Sequence, residues 1–420
     1  MKKRKVTLCI MVSLCILAGT GCTKSKPSYH SEISPSAGIT GTGQETAEAD
    51  NKTAAKTGSP DNAAGDTSSG TAASDKAVTK WELKPSFKYD VLCFLNTLVG
   101  DEYYLRYYRK EYEDISKTLT PKVKELLESF KQIRKEKQII IGSALAYAFS
   151  QTKDETLDDM INTLSGNGTD IWEQYYTADE DKPFFDKINE GLIGIFNFLE
   201  EIDFEKYWET NMLPGIEKRI DEINAMNPSE YDILPEVEKC TGISLNSDTI
   251  TIYLLYFAQP HGIRIKGTNL LSDISYSFDT IIGTAVHEML HPPFNPEDAQ
   301  FKAARSKLEE DEFIKSAMDR QDKTHGYETY EAYFEENCVD ALEVLLREKY
   351  DILGEDARSY FRNHDGGIDA LGMALYQLMK QEDFINQDET YQDFIIRNIN
   401  SGELAPGKIK ELNKAFFEQE

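Results

Sequence analysis

Residues 279–291 read Asp279-Thr-Ile-Ile-Gly-Thr-Ala-Val-His287-Glu288-Met289-Leu290-His291. Ile281, Ile282, Ala285, Val286 and Met289 recur at helical spacing, which predicts a helix with one buried face. Asp279 is the predicted N-cap, since a short acidic side chain accepts from the first free N–H groups. On such a helix His287 and His291 stand one turn apart on the same face, so both imidazoles reach one cation. Glu288 lies beside that point, placed to take a proton from a water held there. Pro292 and Pro293 follow directly. A residue before proline is pushed out of the α region, and Pro292 has no N–H to give the Glu288 carbonyl. The helix is therefore expected to end or kink at His291 and turn the chain away behind it.

Working upstream, residues 247–257 (SDTITIYLLYF) are β-branched and aromatic and predict a strand. Gln259-Pro260-His261-Gly262 is a turn, with His261 near the strand edge, and 263–266 is a second short strand. Most of the remaining chain reads as helix: 90–108, a segment opened by Pro121, 139–149, 183–208 and 213–226. The predicted fold is mainly α (α+β), a helical protein with a small antiparallel sheet next to the histidine-bearing helix. Tyr103, Tyr104, Tyr107 and Tyr108 could form a sugar platform, but packing between helices is the reading adopted. The chain has no internal repeat.

Two histidines do not complete a hydrolytic zinc site, which takes a third protein donor and leaves a fourth position for water. Phe294 and Pro296 occupy the stretch where a third histidine would follow. The acidic segment 327–342 supplies candidates instead: Glu335, Glu336 and Asp340, with Glu336 and Asp340 four residues apart on one helix face. This pairing resembles the gluzincin peptidases, thermolysin-like enzymes among them, in which a later helix brings a ligand Glu to an HExxH helix. It is closer still to short, uncharacterised bacterial HExxH lipoproteins that carry an Asn-Pro pair, here Asn295-Pro296, and then a Glu-x-x-Val helix, here Glu336 and Val339.

The resemblance implies a zincin-like core and a zinc metallopeptidase. Its metal ligands would be His287, His291 and Glu336, with Glu335 the rival, and its general base Glu288. Asp340 would orient His287 and fix its tautomer. Tyr327, nine residues before Glu336, would steady the oxyanion, with Tyr330, His325 and His364 as alternatives. The resemblance also supports a peptide or protein substrate lying along the strand 249–257 by β-augmentation. The competing reading is a non-catalytic surface lipoprotein, a binding or scaffold module with a vestigial or structural zinc site.

The N-terminus gives an address. Lys2, Lys3, Arg4 and Lys5 precede a short apolar run that ends in Leu17-Ala18-Gly19-Thr20-Gly21-Cys22. That is a signal-peptide pattern, too short for a membrane span. Its end resembles the bacterial lipobox, so residues 1–21 are read as a lipoprotein signal peptide and Cys22 as the lipidated residue. Two acyl chains on Cys22 would hold the protein outside the cytoplasm at the bacterial cell membrane. Residues 22–80, rich in Ser, Thr, Gly and Ala, read as a flexible tether with a reach of roughly 40–45 Å. Residues 81–240 follow as a helical region and 241–420 as the zincin-like catalytic region. Acidic residues outnumber basic ones 73 to 46 over the 420 residues, a net charge of -27. Such a surface argues against a nucleic-acid partner. Cys93, Cys240 and Cys338 each sit among apolar residues and are expected to be buried thiols.

Overall fold

The apolar run around Ile252 lies at the centre of a sheet rather than at its margin. In the computed structural model, which describes residues 78–137, 139–175, 182–321 and 329–418, β2 (Thr249–Leu255) lies between β1 (Lys80–Lys84) and β4 (Asn269–Asp273). A two-residue strand, β3 (Ile263–Arg264), closes the far edge, giving the order β1-β2-β4-β3. β1 and β4 both run parallel to β2, in registers that set Leu83 opposite Ile252 and Ile252 opposite Leu270. β3 runs antiparallel to β4. The sheet is therefore mixed, which corrects the antiparallel expectation. Ile250, Ile252, Leu254 and Leu255 are all fully buried, as befits a central strand covered on both faces. β1, with the sequence KWELK, is too polar to announce itself, and it begins where the tether was expected to end. Its partner lies beyond nine α-helices of the described residues, a pairing that no local pattern encodes.

Those nine helices run from α1 (Phe87–Leu98) to α9 (Ile233–Thr241). The stretch 90–108, expected as one helix, is two. α1 ends before Gly100, whose φ of +71° suits glycine, and Asp101 then caps α2 (Glu102–Ser116). The stretch 183–208 is likewise divided, between α6 (Lys182–Glu201) and α7 (Phe204–Asn211). Every residue of α1 is buried, because it packs against α2, α4 (Ile141–Phe149) and β2. Tyr104 and Tyr108 are buried and hydrogen-bonded to His261 and Asp273, so these rings pack. Cys93, Cys240 and Cys338 are free and buried.

After the sheet comes α10 (Phe278–Met289). Its N-cap is Ser277, whose hydroxyl accepts from Thr280 N; Asp279, the expected cap, sits in the first turn. A hydroxyl two residues earlier starts the helix sooner and leaves the acid to favour its positive end. α10 packs against β3, β4, α9 and a second long helix, α13 (Tyr330–Lys349). α13 is buried on nearly every side, held between α10 and α15 (Ala370–Gln381). It nonetheless carries Glu336, Asp340 and Glu343 inward. None of the helices in the described residues is long and apolar enough to cross a membrane. Cys22, the signal peptide and nearly all of the tether lie outside the described residues.

Candidate metal centre

The expected end of α10 is where the structure places it. Met289 is its last residue and Leu290 its C-cap, so His291 sits just beyond regular helix. The carbonyl that Pro292 cannot serve is served by Arg264 of β3. Its Nη1 donates to Glu288 O at 3.0 Å and to His291 O at 2.5 Å, and its Nε donates to Gly267 O at 2.7 Å. A guanidinium at this terminus both satisfies orphan carbonyls and answers the negative end of the helix dipole. His291 is thereby held in place although the helix has stopped.

The two imidazoles converge. His287 Nε2 and His291 Nε2 are 3.1 Å apart. From α13, Glu336 brings Oε1 to 3.4 Å from His287 Nε2 and Oε2 to 3.8 Å from His291 Nε2. Donors bonded at about 2.0–2.1 Å to one tetrahedral ion stand about 3.3 Å apart. The three side chains therefore have the spacing of a three-donor metal site, and they could hold one ion among them. All three are buried.

Behind each imidazole lies a carboxylate. Glu335 Oε1 is 3.1 Å from His291 Nδ1, so the rival ligand faces the back of His291 instead. Glu343 Oε2 is 2.7 Å from His287 Nδ1, whereas Asp340 Oδ1 is 3.8 Å away. The orienting role expected of Asp340 thus falls to Glu343, seven residues past Glu336 and two turns along the same face. Burial alone would raise the Glu343 carboxyl, but His287 and Arg347 outweigh it and hold it down at about 2. Arg347 Nη1 donates to Glu343 Oε1 at 2.8 Å, and Tyr360 OH donates to Oε2 at 3.3 Å. Gly283 of α10 makes room for that guanidinium, since a Cβ there would stand 2.9 Å from Arg347 Nε.

Glu288 is completely buried. Its Oε2 accepts the backbone N–H of Arg264 at 2.8 Å, and its Oε1 has no hydrogen-bond partner among the described residues. Ile265 N donates inward to Asn269 O, so the alternation of an antiparallel ladder turns the Arg264 N–H outward to Glu288. Burial pushes the Glu288 carboxyl up, against the opposing pull of His287, His291 and that N–H.

Compared with family models, curated proteins and solved structures, the chain matches none of them.

The other expected site residues separate. Tyr327 and His325 lie outside the described residues. Tyr330 donates its OH to Arg305 O at 2.9 Å and is a packing residue at the start of α13. His364 stacks on Tyr360 and pairs with Asp369 at 3.1 Å. It belongs to a group with Asp340, on the Nδ1 side of His287 and away from the converging Nε2 atoms. His261 is a buried core residue, bonded to Tyr104 OH at 2.9 Å. β2 is paired on both sides and offers no edge; the strand edge beside Glu288 is β3. Sequence reading missed Glu343, Arg347, Arg264 and Asp369. A Glu-x-x-x-Arg pair in register with Glu336 was the available signal for the first two.

Proposed function

We propose that this protein is a zinc-dependent peptide-bond hydrolase of the gluzincin type, held outside the cytoplasm at the bacterial membrane by a lipid on Cys22. The observation that carries the reading is the meeting of His287, His291 and Glu336 beside a buried Glu288, one oxygen of which has no hydrogen-bond partner among the described residues. His287, His291 and Glu336 would hold the zinc. When bound, the ion supplies Lewis acidity toward a water and a substrate carbonyl.

The chain's own groups do the rest. Glu343 accepts the Nδ1 proton of His287 and so fixes the tautomer that leaves Nε2 free to bind. Glu335 does the same for His291. The Arg264 N–H steadies Glu288 Oε2, leaving Oε1 to take a proton from the attacking water and return it to the leaving amine. Burial raises the Glu288 carboxyl, the direction that suits a group that must both accept and donate. The extended substrate lies along β3, and Tyr327 is the proposed oxyanion donor.

The test is hydrolysis of a quenched-fluorescent peptide library by the purified chain, beside Glu288→Gln and His287→Ala. Turnover in the wild type, lost in Glu288→Gln with zinc retained, supports the reading. A zinc-loaded wild type that cleaves nothing in a broad library would favour the non-catalytic lipoprotein with a structural zinc.

A further inference from the structure

On the far side of His287 lies a second group of donors that the proposed chemistry does not use. Asp340 of α13, His364 at the end of α14 (Ala357–Asn363) and Asp369 just before α15 bring one ligand atom each within 4.8 Å of the others. Asp340 is fully buried, and among the described residues neither of its carboxylate oxygens has a hydrogen-bond partner. Asp369 is equally enclosed, at 1% exposure. Among the described residues neither carboxylate meets a lysine or an arginine, in contrast to Glu343, which has Arg347.

Asp369 does not spend its carboxylate on the helix it precedes, and neither do Asp203 before α7 and Asp232 before α9. Asp298, Asp311 and Asp356 stand immediately before helices and cap them with their side chains. Asp369 stands immediately before α15 and gives it no side-chain cap. Its carboxylate instead faces His364 Nδ1 at 3.1 Å, a separation that two donors on one small ion would have. Two buried carboxylates this close are costly unless a positive charge lies between them.

We infer that Asp340, His364 and Asp369 form a second divalent-cation site, distinct in every donor atom from the one formed by His287, His291 and Glu336. Two carboxylates and one imidazole match a first-row divalent ion such as zinc or manganese better than calcium, which takes only oxygen. The ion would neutralise the two acids and tie α13 to the turn that leads into α15. It would also place a positive charge behind the His287–Glu343 pair.

The experiment is a metal count on the full chain, stripped and reloaded with Zn2+ alone or Mn2+ alone, then freed of loose ion by gel filtration. Two ions per wild-type chain are expected, one in Glu336→Gln, one in Asp369→Asn and none in the double variant. His364→Ala, a less buried position, stands in if Asp369→Asn does not fold, and is expected to hold one. One ion per wild-type chain, lost in Glu336→Gln, overturns the second site and leaves the catalytic reading intact. One ion lost only in Asp369→Asn or His364→Ala supports the second site and removes the catalytic one. No ion in the wild type with either metal overturns both.

Discussion

Among the described residues, the completely buried acids Asp90 on one side and Glu288 and Asp340 on the other are treated in opposite ways. Asp90 of α1 is fully enclosed, and it accepts three hydrogen bonds, from Trp208 Nε1 at 2.6 Å, Phe257 N at 2.7 Å and Tyr256 N at 3.1 Å. It ties α1, α7 and the end of β2 together. Between α10 and α13, by contrast, Glu288 has one oxygen and Asp340 two without a hydrogen-bond partner among the described residues. A buried carboxylate that is fully satisfied works as a structural joint; one left unsatisfied costs stability, and the fold retains it where it serves another purpose. Burial alone does not separate the two cases. The count of partners does.

The sharpest way to break this contrast is Glu288→Gln. Peptide turnover is expected to fall by about 10²–10⁴-fold with zinc content unchanged. Retained kcat in an assay of the purified variant would reassign the general base. Asp90→Ala is expected to do the reverse, costing about 3–5 kcal/mol in urea unfolding because three donors lose their acceptor. Zinc per folded chain should stay the same. A loss of zinc without a loss of stability would place Asp90 with the centre and end the comparison.

Within the centre, Glu343→Gln is expected to weaken zinc binding about 10–100-fold in a competition titration. Asp340→Asn should leave the affinity of the histidine site within a factor of about three, on the same principle. The opposite ranking would restore Asp340 as the orienting partner of His287.

A separate effect, on stability rather than on the centre, concerns His261. Burial holds its imidazole down at about 3, with Arg134 acting in the same direction. The folded state therefore keeps His261 neutral while the unfolded chain gains a proton below about 6.5. Stability from this group is present above that value and is lost as pH falls toward 3. Between pH 7 and pH 5 the loss is about 2 kcal/mol. Asp90, raised by burial to about 7, has the opposite sign: its contribution is full below about 4 and is lost as pH rises through 7. His261→Gln should flatten the acid side of the stability profile relative to wild type. Equal slopes for the two proteins in urea titrations at pH 5 and pH 7 would show that His261 does not titrate as argued.

The sequence by itself determined the helix 279–291, the shared face of His287 and His291, and the buried, apolar character of the strand around Ile252. It also determined that the helix must end or kink at the prolines. These are local facts, written in a period of 3.6 or 2 and in the missing N–H of Pro292. Tertiary structure alone decided the rest. Parallel pairing of β1 with β2 joins residues more than 160 positions apart, and parallel strands carry no turn signature between them. The division of labour among Glu335, Glu336, Asp340 and Glu343 depends on how α13 is rotated against α10. Helical spacing puts several acids near one face, but only the packed neighbour selects which of them meets a nitrogen. Arg264 shows the same limit from the other side. The sequence shows that a carbonyl goes unserved after Glu288, and only the folded chain brings a guanidinium from an edge strand to serve it.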